Sequence, residues 1–339
     1  MELKRLLFML ISLLAISLFL VACGSDDSEV EGDADSNSGD GGEATEEAPD
    51  FLSILTGGGT SGTYYPLGGE MASTITDATG IQTDALSSNA SADNVIALQE
   101  GEAELAFVQT DVIDNAVNGV NAFEGNKVEN VQAIGSLYPE TIQIVTTKDS
   151  GISSVEDLAG KKVSVGAPGS GTYINAEQIL EIHGMTIDDI DAQNLDFGES
   201  TGGIQDGNID AAFITAGTPT GAVEGLGATV DVSIIPIAEE KINELVEKYP
   251  FYAKDTVKKG TYGLEEDVNT VAVLAMLAVT DDVPEDTVYE ITKAIYENAD
   301  SMAHDKASLI SLETALDGIG IEVHPGAQKY FDEKGISAE

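Results

Sequence analysis

The chain has 339 residues, with 60 acidic and 15 basic side chains and a formal charge of −45 at pH 7. That balance excludes nucleic acid as a partner, because binding a phosphate backbone requires a basic face that releases counterions. A 42% hydrophobic content provides material for a packed core, which excludes wholesale disorder, and a single cysteine excludes an intramolecular disulfide.

In chain order, Lys4 and Arg5 precede an apolar run from Leu6 to Ala22, which closes on Leu20-Val21-Ala22-Cys23. A basic head, an apolar stretch and small residues before a cut site describe an export signal. The cysteine at that point resembles a bacterial lipobox, in which Cys23 is acylated and becomes the first mature residue. The alternative, an uncleaved membrane helix, has an apolar run at the lower limit for spanning, about 17 residues. Residues 1–22 are therefore expected to be a lipoprotein signal peptide. From Gly24 to Asp50 there are eleven acidic residues and no basic one. Such a segment repels itself and has little to bury, so 23–50 is expected to be a disordered tether. Its Asp33-Ala34-Asp35-Ser36-Asn37 run fails as a calcium loop, because the glycine falls at Gly39 and Ala44 replaces the bidentate Glu. The expected location is extracytoplasmic, on the outer face of the cell membrane, with the lipid as the only membrane contact.

Beyond the tether, short β-rich runs alternate with helical patterns. Strands are predicted at 51–55, 104–108, 132–135, 143–147, 162–166, 209–215, 232–237 and 270–279. Helices are predicted at 65–78, 92–100, 175–183, 238–248 and 284–304. The last carries Val288, Ile291, Ile295 and Met302 at helical spacing. This alternation predicts an α/β fold.

One internal echo stands out. Residues 54–60 (Ile-Leu-Thr-Gly-Gly-Gly-Thr) lead into Ser61-Gly62-Thr63-Tyr64, and 163–169 (Val-Ser-Val-Gly-Ala-Pro-Gly) lead into Ser170-Gly171-Thr172-Tyr173. In both, glycine lets backbone N–H groups point outward and hydroxyls sit at a helix start, which makes an anion-binding cup. Two such cups facing across a cleft suit a small anionic ligand. Gly57, Gly59 and Gly62, with Asp84 further on, also fit the dinucleotide fingerprint. An exported chain with a hydroxyl-rich loop argues against that reading. Ser61 or Ser170 as a nucleophile needs a base, but His183, His304 and His324 all fall at helix ends or turns. No two histidines are near enough in sequence to suggest a zinc site, and neither cofactor nor metal is expected. The only arginine is Arg5, so the globular part lacks the bidentate fork that many carboxylate binders use. Backbone amides and hydroxyls must then hold an anion. A ligand amine is left to Glu140 or Asp111, and a neutral end to Gln109.

These segments, in this order, resemble the TAXI-type solute receptors of TRAP transporters (tripartite ATP-independent periplasmic transporters). The resemblance runs through 56–68, 101–109 (Gly-Glu-Ala-Glu-Leu-Ala-Phe-Val-Gln), Leu137-Tyr138-Pro139-Glu140 and 157–172. It continues with Ile209-Asp210-Ala211-Ala212-Phe213, 267–273 and His324-Pro325-Gly326-Ala327. It implies a two-lobe, Venus-flytrap fold of the periplasmic-binding-protein type (type II-like), with a ligand cleft between lobes. Lobe I would be 51–142 plus about 265–339, and lobe II about 143–264. It implies a monomer that binds a small carboxylate, such as glutamate, glutamine or a dicarboxylate like 2-oxoglutarate, and delivers it to an ion-driven membrane permease. Ligand-binding positions would be Ser61, Gly62, Thr63 and Tyr64 on one lobe and Ser170, Gly171, Thr172, Thr215, Gly217 and Thr218 on the other, with Ser91, Asn94, Gln109, Tyr138 and Glu140 added. The alternatives are an exported serine hydrolase and a ligand-sensing lobe for a signalling partner.

Residues 51–339 keep 48 acids and 13 lysines, a formal charge of −35. Such a surface repels itself and any anionic solute, and salt of about 1 M shortens the screening length to roughly 3 Å. A saline habitat is therefore expected. Raising NaCl from about 0.1 to 1 M should stabilise the chain by at least ~1 kcal/mol, or roughly 2–4 °C in Tm; a thermal melt that ignores salt contradicts this.

Overall fold

In the computed structural model the described residues are 48–337. The signal peptide, the acylated Cys23 and nearly all of the tether fall outside them. The chain runs β1 (Phe51–Leu55), α1 (Tyr64–Thr79), β2 (Gln82–Leu86), α2 (Ser91–Gln99), β3 (Leu105–Gln109) and α3 (Thr110–Asn118). It continues through β4 (Val131–Thr147), β5 (Lys162–Ser164), α4 (Gly171–Ile182), β6 (Asp191–Gln193), α5 (Phe197–Gln205), β7 (Ala211–Ala216) and α6 (Gly221–Gly227). Then follow β8 (Val232–Ile234), α7 (Glu239–Lys248), β9 (Ala253–Val257), β10 (Val268–Thr280), α8 (Glu285–Asn298) and α9 (Pro325–Lys334).

All ten strands belong to one mixed sheet with the path β2-β1-β3-β10-β4-β7-β5-β6, while β8 pairs with β4 and β9 with β10. The outer strands of each end are parallel, as strand–helix–strand units require, and β10 and β4 run antiparallel to their neighbours. These two long strands serve both ends of the sheet. In β10, Val268–Ala272 pair with β9 and Ala275–Val279 with β3. In β4, Thr141–Val145 pair with β7, while its first half lies along the second half of β10.

Strand side chains alternate between faces, so each end has a core on both sides. At one end Leu105 and Phe107 pack with Leu67, Met71, Ile291 and Phe331, and Ala106 and Val108 pack with Val95, Leu98 and Val112. At the other, Phe213 joins Ile144, Val163, Ile179 and Leu245, while Ile214 joins Val145, Val223, Leu226 and Val232.

The strands predicted at 132–135 and 143–147 are one element: β4 runs straight through Tyr138-Pro139-Glu140, with Pro139 opposite Leu274. Proline ordinarily breaks an interior ladder, but the register shifts beside it, between Ala275 and Met276 and again between Leu277 and Ala278. The predicted helix 284–304 stops at Asn298 and gives way to 3₁₀ turns, leaving Met302 and His304 outside it. Asn298, Asp300 and Ser301 are weak helix formers, and the Asn298 side chain turns back to Ala294 O at 2.8 Å. Edge strand β2 (Gln-Thr-Asp-Ala-Leu) is too polar to read as a strand, and α5 carries three glycines among nine residues.

The His324-Pro325-Gly326 turn opens α9, with His324 Nδ1 accepting from Gly326 N at 3.1 Å. A Cβ on Gly326 would lie 2.2 Å from Glu285 O and 2.7 Å from Tyr289 N, so only glycine lets α9 seat on the first turns of α8. Gly326→Ala should destabilise the chain by about 1–3 kcal/mol, measured as a shift in urea midpoint at unchanged m; an unchanged midpoint contradicts this packing.

Candidate ligand-binding site

The two echoed loops meet. Thr63 and Tyr64 at the start of α1, and Ser170, Gly171 and Thr172 at the start of α4, line one cavity between the two ends of the sheet. Its other walls are Gly57, Gly58, Asn89, Ala90, Ser91 and Gln109 from one side and Ala167, Asp196, Phe197, Thr215 and Ala216 from the other, with Glu140 on β4 between them. The empty volume is about 410 Å³, most of it too narrow to hold a water molecule.

The tightness comes from contacts across the cleft. Ala92 N and Asp93 N, at the start of α2, donate to Gly169 O at 3.0 and 3.2 Å, and Ala222 N at the start of α6 donates to Ser61 O at 3.0 Å. The Lys306 ammonium reaches Thr218 O. Gln109 lies over the start of α4, where a Cβ on Gly171 would fall 2.1 Å from its Oε1. Gly57 has φ 141° and faces the Ala90 side chain, 2.3 Å from where its own Cβ would be, so this loop approach also requires glycine.

The electrostatics are unusual for a carboxylate site. No lysine lines the cavity; its carboxyl groups are Glu140 and Asp196. Glu140 is 2% exposed, and Tyr64 Oη donates to its Oε2 at 2.7 Å. Burial pushes its carboxyl up to about 8, with the Asp111 charge raising it further and bonds from Tyr64 and Gln109 pulling the other way. Burial and the Glu140 charge raise the Tyr64 hydroxyl well above its ordinary value too. Two buried polar atoms on opposite walls, Gln109 Oε1 and Thr215 Oγ1, have no hydrogen-bond partner.

Of the predicted positions, Thr63, Tyr64, Ser91, Gln109, Glu140, Ser170, Gly171, Thr172 and Thr215 line this cavity. The others do not. Ser61 gives its carbonyl to α6, and Gly62 packs on Gly58 O. Asn94 turns inward, donating to Thr56 O and Phe107 O, both at 2.7 Å. Tyr138 is buried in the core; Gly217 lies under the Lys306 stem, and Thr218 accepts from that ammonium. Asp111, also suggested for a ligand amine, bonds Asn175 instead. Ser170 caps α4, accepting from Tyr173 N at 3.1 Å. Asp196 and Phe197 were not anticipated, although Asp196 and Glu199 form a capping box that was readable in the sequence. None of the three histidines bonds Ser61 or Ser170: His183 Nδ1 is on Ile179 O, His304 on Lys306 N and His324 on Gly326 N.

Solved structures share this architecture. The alkanesulfonate-binding protein SsuA from Xanthomonas axonopodis pv. citri, bound to MOPS, superposes with a TM-score of 0.51 at 14% identity, covering 85% of each chain. PhnD1 from Prochlorococcus marinus (MIT 9301), in complex with methylphosphonate, gives 0.51 at 10% identity, covering 85% of this chain and 97% of its own. The fold is that of periplasmic solute-binding proteins. Residues 54–335 match the NMT1-like family, and the chain belongs to it.

The raised Glu140 has a consequence for stability. A carboxyl with a folded value near 8 and an ordinary value of 4.5 favours the folded state fully below about 4.5, and that contribution is lost as pH rises through 8. The slope is at most ~1.4 kcal/mol per pH unit between the two values. Glu140→Gln should flatten the decline in stability between pH 5 and pH 8.5, as read by urea melts. A decline equally steep in the variant contradicts a neutral, buried Glu140.

Proposed function

We propose that the chain is an extracytoplasmic solute receptor of a TRAP-type transporter, binding a small carboxylate and passing it to an ion-driven membrane permease. The observation that carries this reading is the cavity itself: two glycine- and hydroxyl-rich helix starts, one from each end of the sheet, converge on it. Helix N-termini and free N–H groups favour an anion, and they are the donors left to a globular part without arginine. A cavity this narrow has to widen to admit a metabolite. The two ends, proposed as lobes I and II, therefore separate about β4 and β10 and close over the solute, a shift between open and closed states.

The transporter class rests on the TAXI resemblance; the SsuA and PhnD1 structures are named for a sulfonate and a phosphonate, which are also oxyanions. Glu140 and the missing lysine favour an amine-bearing carboxylate, glutamate or glutamine, over 2-oxoglutarate. The ammonium would lie against Glu140, while the carboxylate takes donors from Thr63, Ser170 and Thr172. Lipid anchoring at Cys23 and a saline habitat complete the proposal.

Calorimetry with glutamate, glutamine and 2-oxoglutarate tests it. Binding of at least one is expected, with the amino acids tighter; no heat with any of a carboxylate panel overturns the ligand assignment. Thr172→Ala and Ser170→Ala should each weaken binding by about 1.5–3 kcal/mol through loss of a charge-assisted donor, whereas unchanged affinity removes that loop from the site.

A further inference from the structure

Behind the cavity a second polar cluster joins the two ends of the sheet. Asp111, in the first turn of α3, is 3% exposed, and Asn175 of α4 is fully buried. The α3 helix packs with the core of one end, through Val112 and Ile113. The α4 helix packs chiefly with the other, through Ala176, Ile179 and Leu180. Asn175 Nδ2 donates to Asp111 Oδ2 at 3.3 Å and to Tyr252 Oη at 2.8 Å. Tyr252 Oη in turn donates to Gln178 Oε1 at 2.6 Å, so it can only accept from Asn175. In that arrangement Nδ2 faces Tyr252, and Oδ1 is left over.

Two oxygens in this cluster are buried without a partner, Asp111 Oδ1 and Asn175 Oδ1, one on each facing side chain. Both are acceptors, and an ionised carboxylate has no hydrogen to place between them. A carboxylic acid has one. A protonated Asp111 can donate its O–H to Asn175 Oδ1 while its other oxygen keeps the Asn175 N–H, the paired ring of an acid and an amide.

We propose that Asp111 and Asn175 form a clasp between the two ends of the fold, engaged by one proton taken from water as the cleft closes and returned to it on opening. The charges reaching Asp111 are negative, from Asp114 on its own helix and Glu140 on β4; the Tyr252 hydroxyl and Asn175 face it from beyond. Burial pushes its carboxyl up to about 7, against the nearby Val112 and Asp111 backbone N–H dipoles and the Asn175 amide, which act to lower it. In the open form water reaches Asp111, and its value returns toward the ordinary 3.8. The closed form therefore binds more protons between those values. The closed-to-open ratio is lowest above pH 7 and rises as pH falls, by about tenfold between pH 8 and pH 6. Opening near neutral pH thus releases a proton with no change in the solute.

The inference rests on the proposed movement of the two ends, and its pH arms use no solute. Spin labels at the exposed positions Asp77→Cys and Glu247→Cys, with Cys23→Ser, report the distance between the ends. Glu140→Gln in the same background removes the acid raised to about 8, leaving the half-buried Asp114 as the remaining raised carboxyl beside Asp111. The closed population of this protein should grow on going from pH 8 to pH 6, and adding Asp111→Asn, which keeps a neutral pair with Asn175, should hold it pH-independent. Asn175→Ala should shift the population toward open at pH 6 while leaving a pH response, because the burial that raises Asp111 remains and Asn175 pulls its value the other way. A distance distribution that ignores pH with Asp111 present, the same pH response with Asp111→Asn, or an unchanged population at pH 6 with Asn175→Ala, overturns the clasp. A shift on adding glutamate to the labelled protein that keeps Glu140, alongside no shift with pH, would overturn the clasp and leave the receptor reading standing.

Discussion

The antiparallel pairing of β4 with β10 is the constraint on which the rest of the molecule depends. Each strand gives one half of its length to one end of the sheet and the other half to the opposite end. Every residue of the cavity is placed relative to that pair. Gln109 ends the strand beside β10, Glu140 lies on β4 where it passes between the ends, and Thr215 lies on the strand paired with β4 at Ile142. Pro139 and the register shifts in β10 fall in the same stretch, where a regular ladder would resist bending. The contacts across the cleft are few and local by comparison, so the sheet supplies the connection between the two ends and the loops supply the contacts over the cavity.

The second theme is charge without compensation. The described lysines that form ion pairs do so at exposed surfaces, as Lys148 does with Glu265 and Lys334 with Glu297, where a pair contributes no more than about 1 kcal/mol. None of these cations reaches the cleft. Glu140 and Asp111 are consequently buried with no cation among the groups acting on them, and each is held toward its neutral form. A neutral acid is both a donor and an acceptor, which would suit the proposed receptor site, able to satisfy polar groups when empty and to meet an ammonium when filled. With the proposed clasp, pH would then act on stability through Glu140, bonded to Tyr64, and on closure through Asp111, bonded to Asn175.

Much of the fold was legible because its elements obey simple periodicities. The buried strands at 51–55, 105–109 and 211–216 are runs of apolar residues, and α1, α2 and α7 carry apolar residues at helical spacing. What escaped notice lacked that signal: β2 and β9 are polar edge strands, α5 is glycine-rich, and the nine residues of α3 follow β3 without a break. The candidate cavity was legible in part where it consists of loop chemistry: of the echoed Ser-Gly-Thr-Tyr segments, Thr63 and Tyr64 and Ser170, Gly171 and Thr172 line it, while Ser61, Gly62 and Tyr173 do not. It was illegible where direction decides. Sequence places Asn94 at a helix start but does not reveal that its amide turns inward to two backbone carbonyls, nor that Asp111 looks across to Asn175. Those are facts of register and helix rotation, set by partners 13 to 64 residues away.

Determining the structure of the chain crystallised with saturating L-glutamate tests the central claim most directly. The account predicts the solute between the two helix starts, its carboxylate within hydrogen-bond distance of Thr63 or Thr172 and its ammonium against Glu140. Glutamate bound outside this cavity, or bound there with its ammonium turned away from Glu140, would contradict it.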